Sequence, residues 1–486
     1  MAQVVVLGAG ISGHTAAMYL RTLLPSSHSV VVVSPKPDYN WIPSNIWVGV
    51  GRMAPEKVVI ALKPVYDKLG VRFVQAAGVS IHPDGAADGR GPFLRVASTL
   101  PGTEGQVEEI AYDYLINATG PRLRFDRTEG LGPDGGYTQS VCTEKHASHA
   151  AAALKESIER MKRGERQQIA IGMGHGTCTC EGAAFEYTFN VEHELRAAGV
   201  RDKADVLYVT NEADLGDFGV DGLIVKRGGY RTPSRVFAAS LYGERGIQSL
   251  MGTHVRGISQ GRFEYETITG EEGEKTFDFA MLLPPFTGVG LQAFGRDGED
   301  ITAVLFAANG FMKVDADYTA KPYEEWSAAD WPRTYQNPQW RNLFAVGIAF
   351  APPHAISRPR KSPFGNVIAP APPRTGMPSA AMARAVAESV VDMVLGRSTT
   401  PTRTSSMAAM GAACVASAGA NIFQGSAVAM TMYPVVPDYD RFPMGGRDQA
   451  LTIGEIGTAG HWIKILLHHM FLYKAKALPG WSFIPE

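Results

Sequence analysis

The chain has 486 residues, enough for two or three domains, each with its own core. It carries 46 Lys and Arg against 48 Asp and Glu, a net charge of −2, which excludes the basic excess of a nucleic-acid-binding protein. Four cysteines, Cys142, Cys178, Cys180 and Cys414, are too few for a disulfide scaffold and lack the paired spacing of structural zinc, so no metal is expected.

The first residues enter a strand at once, without the basic and apolar regions of a Sec-type signal peptide, so a cytoplasmic start is the default. No apolar run is long enough to span a bilayer. In "VVVLGAGISGHTAAMYLRTLL", residues 4–7 read as a buried parallel strand and the glycines lead into a helix. Gly8 permits the turn, Gly10 lets backbone approach a pyrophosphate, and Gly13 lets helix and strand pack closely. A second strand follows in "SVVVVS" (29–34), which makes a dinucleotide site of the fingerprint. The acid that usually holds a ribose at the end of that strand is absent. Ser34 stands there, to bond the ribose less strongly, or Asp38 swings in. Flavin and nicotinamide are not separated by this feature. "YDYLINATGPRLRF" (112–125) ends a strand in Ala118-Thr119-Gly120, and "NLFAVGIAF" (342–350) reads as a late strand that brings Gly347 to a flavin. Each alone is compatible with mere core; together, in this order, they favour flavin.

"QQIAIGMGHGTCTCEGAAFEYTFNVEHELRAAG" (167–199) repeats the strand–turn–helix grammar, and "DVLYVTNEADLGDFG" (205–219) supplies the next strand. Gly172 and Gly174 are present, but the third glycine of the fingerprint falls on Thr177, and cysteines and Glu181 crowd the turn. A carboxylate there repels pyrophosphate, whereas a helix N-terminus stabilises a thiolate. The unit reads as a nucleotide fold converted to thiol chemistry.

The tail, "GHWIKILLHHMFLYKAKALPGW" (460–481), has helical periodicity: Ile463, Leu466, Leu467, Met470 and Phe471 share one face, with His461, Lys464 and His468 opposite. Such a helix suits the lipid interface, or packs on the body or in a dimer seam. The apolar and aromatic "GSAVAMTMYPVVPDYDRFP" (425–443) precedes it. A Pro-rich insert (351–376) offers Arg358, Arg360 and Lys361 to lipid headgroups or is an exposed loop, and residues 396–406 read as a surface linker. The fold class predicted is α/β: two Rossmann-like dinucleotide-binding domains in tandem plus a C-terminal amphipathic, membrane-associating region. The first domain comprises residues 1–145 with 284–395, the second 146–283, and the C-terminal region 396–486.

These segments resemble, nearly from end to end, the sulfide:quinone oxidoreductases, two-dinucleotide-domain flavoproteins related to type II NADH dehydrogenases. The resemblance rests on "PDYNWIPSNIWVGVG", "YDYLINATGP", "SVCTEKHA", "CEGAAFEY", "LGDFGVDG", "FAMLLPPFTG", "LFAVGIAFAPP", "PRTGMPSAAMARAVA" and "CVASAG", in the family's order. It implies FAD as cofactor, hydrogen sulfide as substrate, a membrane quinone as acceptor and monotopic attachment to a lipid surface, with a homo-oligomer possible. Cys180 and Cys414 match the pair that holds sulfide sulfur. Cys142 matches a cysteine close to, or thioether-linked to, the flavin. Cys178 has no counterpart, or stands in for Cys180 through a slipped register. Glu186 and His146 match proton-handling groups; apart from the resemblance they read as a solvated helix residue and a helix cap. Asp217 replaces the histidine of a common "LGHFG", which puts an acid–base role there in doubt. Flavin contacts carried over are Gly8, Gly10, Gly13, Ser34, Pro43, Ser44, Gly120, Gly347, Thr375 and Gly376. The quinone is expected near Phe350, Pro352, Ile356, Phe423, Lys464 and Leu467. A flavocytochrome-type sulfide dehydrogenase and a type II NADH:quinone oxidoreductase are the alternatives.

Overall fold

The computed structural model describes residues 1–419 and 425–486. Its first sheet grows from the valine-rich opening strand, Gln3–Leu7, whose central residues are fully buried. That strand pairs in parallel with Ser29–Ser34 on one side and Tyr114–Asn117 on the other. Arg72–His82 and Leu343–Ala345 extend the parallel part outward, and Phe93–Ser98 and Val107–Ala111 add an antiparallel edge. Parallel strands buried on both faces need continuous apolar runs, which is why "VVVL" and "VVVV" appear without alternation. The helices Ile11–Leu23 and Gly376–Val394 pack on each other over this sheet.

The second sheet is four parallel strands in the order Ile247–Leu250, Ala204–Val209, Gln167–Met173, Phe279–Leu283. The Glu181–Ala197 helix follows its glycine turn. The late strand expected over 342–350 pairs regularly only at Leu343–Ala345; Gly347, at φ +64°, turns the chain into a single 3₁₀ turn, Gly347–Ala349.

The C-terminal region folds as a three-stranded antiparallel sheet, Ala412–Ala418, Ser426–Met432 and Gly454–Gly457, crossed by the Thr458–Ala475 helix. The helix is turned with its polar side inward: His461, Lys464 and His468 are buried. Ile463 and Leu466 are about half exposed, at 47% and 57%. Among the described residues no helix is long and apolar enough to cross a membrane.

Two glycines of the opening turn have no room for a side chain. A Cβ on Gly13 would stand 2.0 Å from the Gly8 carbonyl oxygen, and one on Gly8, at φ +107°, 2.2 Å from that of Ala118. Around Gly10 there is nothing within 4 Å. Gly13→Ala is therefore expected to lower unfolding free energy by about 1–3 kcal/mol, while Gly10→Ala shifts it by less than about 0.5 kcal/mol, measured by denaturant unfolding.

Candidate functional site

The first groove lies where three chain segments converge. A Cβ on Gly347 would stand 2.1 Å from the Ser12 hydroxyl, and one on Gly376 3.4 Å from the Ile11 side chain. The helices starting at Ile11 and Gly376 thus present neighbouring N-termini, whose first N–H groups have no partner within their own helix. Open space over Gly10 and Gly120, with partial positive charge at both helix starts, fits the phosphates of a dinucleotide. Thr375, the N-cap residue, is exposed at the same place. Ser34 differs from expectation: its hydroxyl donates to the Lys36 carbonyl at 3.0 Å and closes its own turn. Ser44, beside half-buried Pro43, is buried against His468 Nδ1 at 2.8 Å.

The second turn is closed by the chain itself. Gly174 N–H donates to the Leu283 carbonyl, Gly176 N–H to His254 Nδ1, Thr177 N–H to His175 Nδ1 and Cys178 N–H to the His175 carbonyl. Residues 367–371 lie along it: Ala369 and Ala371 N–H groups donate to the carbonyls of Gly176 and Cys178 at 2.9 and 2.8 Å. A Cβ on Gly176 would meet the Val367 carbonyl at 2.7 Å. The N–H groups of residues 174 and 176–178 are thus spent within the chain.

Cys180 is the N-cap of the Glu181–Ala197 helix, in the left-handed region at φ +75°. Such a conformation in a residue with a side chain costs about 1–3 kcal/mol and fixes where the thiol points. Cys414, on the Ala412–Ala418 strand, comes to the same helical turn: its Sγ lies 3.1 Å from where a Cβ on Gly182 would stand. Cys142 stands just before the Glu144–Lys162 helix. Its N–H donates to Ser140 Oγ, and Asn45 holds the Val141 carbonyl at 3.2 Å. All three are half-buried free thiols. Cys178 is instead fully buried, its S–H donating to the Leu283 carbonyl at 3.0 Å. It sits in the turn between strand and helix, a small core residue.

The helix start alone predicts a lowered Cys180 pKa. Burial wins: it pushes Cys180 up to about 12, and Cys142 and Cys414 up to about 11. Glu186, a solvated helix residue by sequence pattern, is buried and ion-paired with Lys464 at 3.0 Å, while its other oxygen accepts the Ser417 N–H at 3.2 Å. Burial moves Glu186 upward, opposed by the Lys464 charge. Lys464, expected at a quinone, is thus engaged by Glu186.

His146 does not cap its helix; Thr143 does, its hydroxyl accepting the His146 N–H at 3.1 Å. The His146 ring lies beside Phe125, with Nε2 3.5 Å from Asp134, and burial lowers its pKa. Phe350 and Ile356 are fully buried, Phe350 against Trp331, Tyr335 and the Arg374 guanidinium; Leu467 is half-buried. Phe423 lies outside the described residues. Two groups escape sequence reasoning. Arg374 is buried, donates to the carbonyls of Ile348 and Phe350 at 2.8 and 2.6 Å, and its charge favours the Cys180 thiolate. Glu181 reads from sequence only as a charge against pyrophosphate, yet it lies fully buried next to Cys180.

Residues 2–322 match the pyridine nucleotide-disulphide oxidoreductase family. A sulfide-quinone reductase of Aquifex aeolicus (strain VF5) is 27% identical over 475 residues, 97% of this chain and 91% of that protein. The X-ray structure of the sulfide:quinone oxidoreductase from Aquifex aeolicus superposes with TM-score 0.74 at 26% identity, covering 98% of this chain and 92% of that one. The NDH2 of Plasmodium falciparum in complex with NADH shares the fold alone, at TM-score 0.60 and 12% identity over 99% of both chains.

The ion pair makes a pH-dependent prediction. A carboxyl whose native pKa is raised stabilises the fold less as pH rises through that value. Lys464→Met removes the charge that opposes burial at Glu186, so its cost should reach about 3–5 kcal/mol at about pH 8. At about pH 5, where Glu186 takes a proton more readily, the loss should be smaller. Denaturant unfolding at the two pH values measures both.

Proposed function

The chain belongs to the pyridine nucleotide-disulphide oxidoreductase family, and we propose that within it this protein oxidises sulfide, using a cysteine pair and FAD, and reduces a membrane quinone. The observation that carries the reading is the meeting of Cys414 with the Cys180 turn in a unit whose nucleotide turn is closed by its own chain. The near full-length similarity to sulfide-quinone reductases supports it. A NADH:quinone reductase needs the second turn open, and a haem-partnered dehydrogenase gives no account of the exposed apolar face on the tail helix.

In this reading residues 1–145 with 284–395 hold the flavin, 146–283 carry Cys180, and 396–486 carry Cys414 and the quinone-facing tail. FAD, when bound, supplies the two-electron acceptor. Gly8, Gly10 and Gly13 shape its cradle, Gly120, Gly347, Thr375 and Gly376 line it, and Cys142 is the residue available for a covalent bond. Hydrosulfide attacks an oxidised Cys180–Cys414 bridge: its sulfur bonds to one cysteine, the bridge breaks, and the other cysteine leaves as a thiolate. The high thiol pKa values make the reduced pair protonated near neutral pH, so each cycle must carry protons away from sulfur. Arg374 opposes burial at Cys180; beside Cys414 the Glu186 charge adds to the upward shift and the Lys464 charge opposes it. His146, kept neutral by burial, serves on the Cys142 side.

The tail helix supports attachment to lipid. Its buried polar side is tied to the body through Glu186 and Ser44, leaving Trp462, Ile463 and Leu466 outward.

Anaerobic sulfide should bleach the flavin and added quinone restore it, whereas NADH should not. Cys180→Ser and Cys414→Ser should each slow bleaching by at least about 100-fold. Bleaching by NADH alone, or unaffected rates in both variants, rejects the reading. Ile463→Asp combined with Leu466→Asp should cut recovery with floated anionic vesicles by at least about tenfold.

A further inference from the structure

A hairpin of the second domain carries charge and exposure that the sulfur chemistry above does not use. Strands Ile224–Arg227 and Tyr230–Pro233 are joined by Gly228 and Gly229, whose positive φ values, +53° and +88°, give the tight turn that matches strand twist. A two-stranded hairpin is marginal by itself, and this one is pinned at its base. Val225 is fully buried. The Ser234 N–H donates to the Leu223 carbonyl at 2.7 Å, and its hydroxyl accepts the Leu223 N–H at 2.9 Å. Buried Arg447 donates to the carbonyls of Val220 and Gly222 just before the hairpin, at 2.6 and 2.8 Å. The tip is left outside: Tyr230, beside the turn, is 79% exposed.

The charge there is one-sided. Residues 222–243 hold Lys226, Arg227, Arg231 and Arg235 and no Asp or Glu, in a chain whose total is −2. All four cations are exposed. Arg201 and Arg245 on either side are engaged by Glu192 and Glu244, and Arg358 of the Pro-rich insert by Glu324. Among the described residues none of the four hairpin cations enters an ion pair; Arg231 donates instead to the Met444 sulfur at 3.1 Å. Apolar exposure adjoins the charge. The Lys226 N–H donates to the Thr452 carbonyl at 3.1 Å, and Lys226 pairs in parallel with Ile453. Along this seam Met444, Leu451 and Ile453 are exposed, and residues 449–463 contain one acid, Glu455. Strand Gly454–Gly457 then runs directly into the Thr458–Ala475 helix. The chain from Ile453 to outward-facing Trp462 spans at most about 25 Å, five extended steps and four helical ones.

We propose that the hairpin at residues 224–233 is a second lipid contact, in which Lys226, Arg227, Arg231 and the adjoining Arg235 bind anionic headgroups while Tyr230 enters the interface. The proposal rests on the lipid attachment read from the tail helix and adds a headgroup preference to it. Each Lys or Arg held near an anionic leaflet is worth about fivefold in affinity, and the attraction decays over a Debye length of about 10 Å. An aromatic ring with a polar tip belongs at the same depth, where one end is apolar and the other wet. A soluble acidic partner would answer the charge alone. The exposed Met444, Leu451 and Ile453 beside it, on chain that continues into the apolar face of the tail helix, favour a lipid surface.

The test is flotation of the flavin-loaded protein with vesicles of phosphatidylcholine alone or with about 30% phosphatidylserine. The wild type should prefer the anionic vesicles by at least about tenfold at low salt, and the preference should shrink as salt approaches about 0.5 M. Arg227→Gln combined with Arg231→Gln should lose at least about tenfold on anionic vesicles and nothing on phosphatidylcholine. Tyr230→Ser should weaken binding to both. In protein carrying Ile463→Asp and Leu466→Asp, whatever anionic preference is left should disappear on adding the two arginine substitutions. An unchanged anionic preference after Arg227→Gln with Arg231→Gln overturns the proposal, and the tail helix then stands alone if Ile463→Asp with Leu466→Asp still detaches the protein. Should the arginine variant fail to retain flavin, an unchanged preference in Lys226→Gln with Arg235→Gln overturns it instead. A wild type that floats with neither vesicle overturns the hairpin and the lipid attachment together, while sulfide bleaching still judges the sulfur chemistry.

Discussion

One buried carboxylate holds the architecture of the site together. Glu186 accepts Lys464 from the tail helix and the Ser417 N–H from the Cys414 strand while standing on the helix that Cys180 caps. Asn190, one turn further on, donates to the Ser417 carbonyl, so helix and strand are joined by side chain and backbone alike. Two cysteines 234 positions apart meet because these contacts fix the strand against the helix, and an unmatched charge at that depth would be far costlier than the pair is beneficial. The tail helix shares the constraint: with Lys464 and His468 directed inward, Ile463 and Leu466 are left facing outward.

The two glycine turns show how one supersecondary unit serves opposite ends. Around Gly10 the chain leaves space and uncommitted helix-start donors. At residues 174–178 the same turn is spent on His175, His254 and the Leu283 carbonyl, and lined by residues 367–371. What remains there is the helix start with its cysteine. The dipole favours a thiolate, yet desolvation outweighs it at Cys180.

Much of the frame is legible because it is written in local pattern. Uninterrupted valines announce buried parallel strands, and Gly8 and Gly13 occupy positions where a Cβ collides with backbone. The departure of the second fingerprint at Thr177 is also visible, as is the helical stripe of Ile463 and Leu466. What sequence cannot supply are pairings across long separations. Glu186 with Lys464 and Ser44 with His468 depend on which faces the fold turns inward, and periodicity is silent on a polar face that packs. Ser34 and His146 differ for a local reason: residue type suggests a ribose contact and a cap, whereas a neighbouring Lys36 carbonyl and the Thr143 hydroxyl have the better geometry.

The segment 367–371 has a consequence for competition. Because it is covalently part of the chain, it acts as a tethered ligand whose local concentration is set by geometry and is indifferent to the surrounding pool. A free nucleotide would have to displace an occupant that never diffuses away.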